Sequence, residues 1–167
     1  MAIREIRTLG DEILIKPCKE VKEVSKRTKE LIQDMIDTMR KAGGVGLAAP
    51  QVGVLKRIMI IEMEEGNPIV FINPVITEAE GEQTGYEGCL SIPGKTGVVT
   101  RPNHVKVEAF DENMEKFTLE GEELLARAIC HECDHLEGRL YIDLVEGELQ
   151  DTEELLEEAE EAEEVEN

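Results

Sequence analysis

The chain has 167 residues, of which 41% are hydrophobic, 3% are aromatic and none is tryptophan, and its formal net charge at pH 7 is −20. This length fits one domain with an aliphatic core and leaves little room for a second. The excess of carboxylates argues against a nucleic-acid-binding protein, which needs a basic face, and no apolar run is long enough to cross a membrane.

The N-terminal residues carry charges every few positions. The first sixteen, MAIREIRTLGDEILIK, lack the apolar core of an export signal and the acid-poor composition of a transit peptide. We therefore expect a cytoplasmic protein, in which the four cysteines stay reduced and their thiols are available as metal ligands.

Hydrophobic spacing predicts a first helix over residues 25–42. Its apolar side chains recur at helical intervals after a Ser25 or Thr28 cap, and Gly43-Gly44 ends it. Further along, four segments have the composition and flanking residues of strands. These predicted strands are 57–62, 69–76, and a hairpin of 105–110 with 116–119.

A second helix is predicted from about Glu122 to Glu137, begun by Gly121 and ended by Gly138. The order of helix, strands and helix lacks the regular alternation of a parallel doubly wound sheet. It predicts an α+β fold with mostly antiparallel strands, packed around a central helix that carries an H-E-x-x-H motif.

The C-terminal segment is strongly acidic. Residues 146–167 contain twelve acidic and no basic residues, more than half of the net charge. Helix formers dominate, and few side chains are apolar. We predict a domain over residues 1–146 and an acidic extension, helical or disordered, over 147–167.

His131-Glu132-Cys133-Asp134-His135 matches H-E-x-x-H inside the second predicted helix. At about 100° per residue, His131 and His135 lie about 40° apart on one face, so both imidazoles can reach one metal ion. Glu132 lies to one side of the pair. It can exchange a proton with water at the metal without being a ligand.

A catalytic metal site of this kind needs a third protein ligand. In zincin peptidases this third ligand lies downstream of the motif. The glutamates of the C-terminal segment are candidates for it, but no neighbouring residues would hold them in a fixed position. Upstream, Cys89 stands in Glu-Gly-Cys-Leu-Ser beside a glycine that permits close backbone approach. We predict that Cys89 is the third ligand, in a site that accommodates ferrous iron as well as zinc.

Cys130 and Cys133 flank His131 in a C-x-x-C pattern that could also indicate a redox or zinc-ribbon site. On the helix, however, they lie about −100° and +200° from His131, away from the metal-facing stripe. We interpret both as helix-packing residues.

A third motif, Gly-Val-Gly-Leu-Ala-Ala-Pro-Gln, ends at Gln51. It has no lysine of the kind that phosphate-binding loops use. It could be a turn that ends the first helix, or a backbone segment close to a substrate with the Gln51 amide as donor to an oxyanion.

GVGLAAPQ, EGCLS and HECDH, in this order and spacing, resemble the signature motifs of the peptide deformylases. The resemblance covers residues 1 to about 145. It implies a hydrolase that removes the formyl group from the N-terminal methionine of nascent polypeptides and releases formate. The alternative is a zincin-type metallopeptidase, which has the same His pair and glutamate.

The resemblance also implies roles for individual residues. Cys89, His131 and His135 would hold one divalent metal, with Fe²⁺ expected and Zn²⁺, Ni²⁺ or Co²⁺ able to replace it. Glu132 would transfer the proton, and Gln51 with the Leu90 backbone N–H would stabilise the oxyanion.

The family binds an extended N-formylmethionyl peptide by backbone pairing, which would place Val45 and Gly46 along it. On the metal-facing stripe of the helix, Leu124 and Ala128 are suited to line the methionine pocket. We also expect an ion pair between Asp134 and Arg101.

The sequence departs from the family pattern at Cys130, where many members carry glutamine, and at Cys133, where a larger aliphatic residue is common. An acidic C-terminal helix is also unsuited to ribosomal RNA. Any ribosome association would therefore not use that helix, and nothing in the sequence demands more than a monomer.

Overall fold

The computed structural model describes the backbone of residues 2–166 and the side chains of residues 2–163. Three α-helices and eight strands make up most of it. The helices are α1 Lys26–Lys41, α2 Glu123–Leu136 and α3 Thr152–Glu166. The strands are β1 Gly46–Ala48, β2 Ile58–Ile61, β3 Ile69–Glu80, β4 Gln83–Cys89, β5 Ile92–Arg101, β6 His104–Phe110, β7 Lys116–Glu122 and β8 Glu146–Asp151.

The strands form two sheets in which every pairing of neighbouring strands is antiparallel. One sheet has five strands in the order β1-β2-β3-β6-β7, and the other has three in the order β4-β5-β8. This confirms the predicted mixture of helices with antiparallel strands.

β2 shows how the larger sheet joins the first two helices. Successive side chains of a strand point to opposite faces. Ile58 and Ile60 accordingly pack in one apolar cluster with α1, and Met59 and Ile61 pack in a second cluster with α2. All four are fully buried, which explains why β2 is an unbroken apolar run rather than an alternating one.

The predicted first helix and the predicted hairpin are confirmed. Ser25, rather than Thr28, caps α1, since its hydroxyl accepts the backbone N–H of Thr28 at 3.2 Å. In the hairpin, β6 and β7 pair from His104 with Glu122 to Phe110 with Lys116. The Asp111 carboxylate accepts two backbone N–H groups of the connecting turn.

The predicted start of the second helix is confirmed to within one residue, but Gly121 does not begin it. Gly121 belongs to β7, and the helix begins two residues later at Glu123. A Cβ at Gly121 would lie 2.9 Å from Leu125 and 3.1 Å from Ile129, so the glycine lets α2 pack closely against the preceding strand. Gly138, with φ of +76°, ends the helix as predicted.

The acidic segment begins with a strand that the sequence did not reveal. β8 pairs with β5, through Lys95 with Asp151 and Thr96 with Gln150, before α3 begins. The proposed boundary between residues 146 and 147 falls at the start of this strand, and the division of the chain there stays a prediction. Among the described residues, no helix is long and apolar enough to span a membrane.

Candidate active site and metal centre

Helix α2 presents His131 and His135 on one face, four residues apart. Their rings meet edge to face with centroids 5.0 Å apart, and the two residues are 8% and 1% exposed. The ring of Tyr141 packs against His131 with a centroid distance of 6.0 Å. Both histidines are therefore largely shielded from solvent.

Cys89, the last residue of β4, brings its thiol next to the two imidazoles. Its Sγ lies 3.3 Å from Nε2 of His135, and the candidate ligand atoms of Cys89, His131 and His135 all lie within 4.8 Å of one another. Among the described residues, no other group of three or more His, Cys, Asp or Glu side chains brings its ligand atoms this close together. One thiol and two imidazoles suit a single divalent transition metal.

The two histidines have opposite pKa shifts. Burial lowers the pKa of His135 to about 3, assisted by the neighbouring His131 and Arg101. Burial acts the same way on His131, but Glu132, Cys89 and Glu87 outweigh it and hold its pKa well above the ordinary value. His131 is thus the more basic of the two imidazoles, and His135 is held neutral.

Glu87 anchors His131 from behind. Its Oε2 accepts the Nδ1–H of His131 at 2.7 Å and an Arg101 N–H at 2.7 Å, and its Oε1 accepts from Arg101 at 3.1 Å and from Arg127 at 2.9 Å. Burial raises the pKa of Glu87, but the bonds to His131 and Arg101 outweigh it and lower the pKa to about 2. Nε2 of His131 is thereby left to face Cys89 and His135.

Arg101 also donates to Asp134 at 2.6 Å, so the ion pair expected from the sequence is present. The guanidinium is 5% exposed and lies between the carboxylates of Glu87 and Asp134. It joins β5 to the end of β4 and to α2, which carry the three candidate ligands.

Glu132 is also buried, but in the described structure it has fewer hydrogen-bond donors around it than Glu87 has. It is 4% exposed, and its Oε1 has no hydrogen-bond partner among the described residues. Burial raises its pKa to about 7; His131 opposes the shift and Glu87 adds to it. Such a carboxyl can gain and lose a proton near neutral pH.

Gly46 makes room for Glu132, because a Cβ at this position would collide with the Glu132 carboxylate. Gly46 opens β1, so the backbone of the GVGLAAPQ motif runs directly past the carboxyl group. The motif continues into a 3-10 helix at Ala49–Val52 that holds Gln51.

The side chain of Gln51 is fixed at both ends. Its Oε1 accepts the Ala48 N–H at 2.9 Å, and its Nε2 donates to Ser91 Oγ at 3.0 Å and approaches Cys89 Sγ at 3.6 Å. The amide nitrogen is therefore directed towards the candidate metal centre. Leu90 lies beside Cys89 and lines the same cavity.

A cavity of about 550 Å³ opens in front of these groups, and its surface is mainly apolar. Glu132, His131, Cys89 and Gln51 lie along it. Its lining also includes the four residues that the sequence suggested for substrate binding, namely Val45, Gly46, Leu124 and Ala128. Val45 and Leu124 are about half exposed and form part of its rim.

Cys130 and Cys133 lie outside the metal cluster, as their helical positions predicted. Both pack within the apolar cluster between α2 and the large sheet, where the Cys133 Sγ lies 3.8 Å from the Met59 Sδ. Burial raises the pKa of Cys130 to about 11 and raises that of Cys133 further. Both are therefore neutral thiols at physiological pH, with low reactivity.

Sequence reasoning missed Glu87 and Ser91 as parts of the site; it placed Arg127 near the metal-facing stripe of the helix but gave it no role there. Glu87 lies two residues before Cys89 on a strand, and this spacing places alternate side chains on one face. This spacing could have indicated that Glu87 faces the site. Its hydrogen-bond partners could not be predicted from the sequence, because they lie 14, 40 and 44 residues away along the chain.

Comparison with known proteins gives a consistent result. The model of the family described as "Polypeptide deformylase" matches residues 3–150. The chain is 61% identical over 151 residues to peptide deformylase of Agathobacter rectalis, covering 90% of this chain and 95% of the relative. It is 59% identical over 163 residues to that of Lachnoclostridium phytofermentans, covering 96% and 100%.

Solved structures agree with the sequence relatives. A crystal structure of a peptide deformylase from Legionella pneumophila superposes with a TM-score of 0.85 and 44% identity, over 87% of each chain. One from Synechococcus elongatus, solved in complex with actinonin, has a TM-score of 0.83 and 43% identity, over 86% of this chain and 79% of that chain.

Proposed function

The chain belongs to the polypeptide deformylase family, and we propose that it hydrolyses the N-formyl group of formylmethionyl polypeptides, releasing formate and a free amine. One observation carries the proposal beyond family membership. A thiol and two imidazoles converge beside a buried carboxyl group whose Oε1 has no partner in the described part of the chain, at the wall of a cavity large enough for a peptide.

Members of the family depend on a metal, and the three convergent side chains fit one. We propose that Cys89, His131 and His135 are the ligands and that Fe²⁺ is the physiological ion, with Zn²⁺, Ni²⁺ or Co²⁺ as substitutes. A thiolate makes the donor set softer than that of the two-histidine, one-carboxylate peptidases. When bound, the ion acts as a Lewis acid and lowers the pKa of water.

Glu132 is proposed to move the proton. With a pKa near 7 it can accept a proton from the attacking water and return it to the departing amine nitrogen. The Gln51 amide and the Leu90 backbone N–H are proposed to stabilise the developing oxyanion of the formyl group. The bonds of Gln51 to Ala48 and Ser91 support this role because they fix the amide in advance.

The substrate is proposed to lie extended along the cavity. Val45 and Gly46 would pair with its backbone, and Leu124 and Ala128 would line the pocket of the methionine side chain, since all four border the cavity. Residues 1–146 would form this hydrolase domain, and residues 147–167 its acidic extension.

The alternative of a zincin-type peptidase gains no support from the site. Among the described side chains, no carboxylate of the acidic segment joins the His pair, and a cysteine stands at the third position. Ribosome association through α3 is not proposed, because every charged residue of that helix is acidic. A monomeric state and a cytoplasmic location stay predictions.

The decisive experiment measures formate release from a formyl-Met-Ala-Ser peptide by protein loaded anaerobically with Fe²⁺. Glu132→Gln should lower kcat by about 10²- to 10⁴-fold, because it removes the proton-transfer group. Metal content should be unchanged. Glu137→Gln is the matched control, the same change at a half-exposed side chain just beyond the end of the same helix.

Two results would count against the proposal. Formate release by Glu132→Gln at the wild-type rate would remove Glu132 from the reaction. A fully metal-loaded wild type that releases no formate would overturn the proposed function itself.

A further inference from the structure

Arg127 is a buried cation that the proposed chemistry leaves without a role. It lies on α2 four residues before His131, on the same helix face, and it is 7% exposed. A buried guanidinium persists only where its N–H groups find partners. Its partners therefore indicate what it does.

The guanidinium of Arg127 connects three elements. One nitrogen donates to Oε1 of Glu87 on β4 at 2.9 Å, and another donates to the backbone carbonyl of Val99 on β5 at 3.0 Å. Arg127 thus fixes α2 against both strands of the β4-β5 hairpin. The candidate ligands come from the same elements, because Cys89 ends β4 and the two histidines lie on α2.

Arg127 also completes the hydrogen bonding of Glu87. The Oε2 of that carboxylate holds Nδ1 of His131, while its Oε1 receives Arg127 together with Arg101. Arg101 divides its own guanidinium between Glu87 and Asp134. Without Arg127, a single divided cation would hold the carboxylate that orients the His131 ring.

We propose that Arg127 is a positioning residue of the metal centre. It holds Glu87 against His131 and holds β4 against α2, so that Cys89 and His131 face the same ion. The inference rests on the metal centre of the proposed function and adds to it a residue outside the ligand set. Partners of this outer kind alter metal affinity by about 10- to 100-fold when removed.

Because Arg127 also lines the cavity, a competing role is contact with substrate alone. The two roles separate by experiment. A positioning residue changes how firmly metal is held when no substrate is present. A residue that only lines the cavity changes KM for the peptide and leaves metal retention alone.

The test follows release of Co²⁺ from loaded protein into excess EDTA, in the absence of peptide, together with the visible spectrum of bound Co²⁺. Arg127→Met, which keeps the apolar stem, should release the ion about 10- to 100-fold faster and shift the spectrum. Arg127→Lys keeps one cationic donor and should give an intermediate rate. If Arg127→Met does not fold, Arg127→Lys alone still decides the question.

The matched control is Lys95→Met. Lys95 borders the same cavity, but it is about half exposed and pairs with Asp151 rather than with Glu87. Removing this surface pair should leave metal release within about twofold of the wild type.

Wild-type retention of Co²⁺ in both Arg127 variants, with an unchanged spectrum, would overturn the inference and leave the proposed function intact. The same holds if only KM changes. If the wild type binds no stoichiometric metal at all, the proposed function and this inference fail together.

Discussion

Glu87 and Glu132 border the same cavity, are 6% and 4% exposed, and have opposite environments. Glu87, on a strand, accepts hydrogen bonds from two arginines and a histidine, and its pKa falls to about 2. Glu132, on the helix, has an oxygen without a partner in the described structure, and its pKa rises to about 7.

Burial is nearly equal for the two carboxyl groups, so burial alone does not decide their behaviour. The difference lies in the number of N–H donors that each meets. Donors keep Glu87 ionised and make it an anchor, whereas their scarcity leaves Glu132 able to change its protonation state. Paired groups whose pKa values are driven apart in this way commonly divide structural and proton-transfer roles.

The largest effect is expected from Glu87→Gln on stability. The change removes the anion that compensates Arg101 and Arg127 and leaves Asp134 as the remaining carboxylate bonded to Arg101. Breaking a buried ion pair on one side costs about 3–5 kcal/mol. Urea unfolding of the metal-free protein should show a loss of this size.

Glu132→Gln is the matched variant, because it makes the same substitution at equal burial. It removes a carboxyl whose Oε1 meets no hydrogen-bond donor among the described residues, and so it should leave the free energy of unfolding at pH 7 unchanged or raised. Equal losses in the two variants would contradict the distinction between an anchor and a proton carrier.

The pH dependence of stability should differ in sign between the two groups. The pKa of Glu87 is depressed from 4.5 to about 2, so its contribution is present above pH 4.5 and is lost as the pH falls from 4.5 to 2. At about 1.4 kcal/mol per pKa unit, the loss is about 3 kcal/mol. In metal-free protein, Glu87→Gln should abolish this part of the acid dependence.

For Glu132 the folded pKa is raised from 4.5 to about 7, so its contribution is present below pH 4.5 and is lost as the pH rises from 4.5 to 7. The stability gained by Glu132→Gln over the wild type should therefore grow across this interval. Urea unfolding at half-unit pH steps measures both trends. Parallel curves for the wild type and either variant would show that the group is not shifted as described.

The sequence predicted the proposed metal ligands and Glu132, but not Glu87, the carboxylate that holds His131 in place. His131, Glu132 and His135 span little more than one helical turn, so helix geometry alone determines their relative directions. Cys89 followed from the chemistry of a third ligand. Glu87 could not be assigned in this way, because its role depends on contacts with residues on α2 and β5 that are distant in the chain.

The fold shows the same division between local and distant information. β2, β3 and the β6-β7 hairpin have apolar or alternating patterns and were predicted. β4, β5 and β8 were not, because β5 contains Pro93 and two glycines and half of the β8 residues are acidic. These three strands are stabilised by pairing with one another, which a local pattern does not record.

The smallest of these effects concerns how Glu132 is held in place without a full set of hydrogen bonds. A Cβ at Gly46 would occupy the space of the Glu132 carboxylate, so in Gly46→Ala that side chain must move. A displacement of about 1 Å can lower a rate about 100-fold. We expect kcat for formate release to fall by that factor while metal retention stays at the wild-type level, since the atoms nearest to the new methyl group all belong to Glu132 and not to a proposed ligand. Gly85→Ala on β4 is the control, because its Cβ would make only an ordinary 3.6 Å contact with Arg127. If Gly46→Ala keeps the wild-type kcat, the Glu132 carboxyl can act from more than one position, and the close approach of the β1 backbone is not what fixes it.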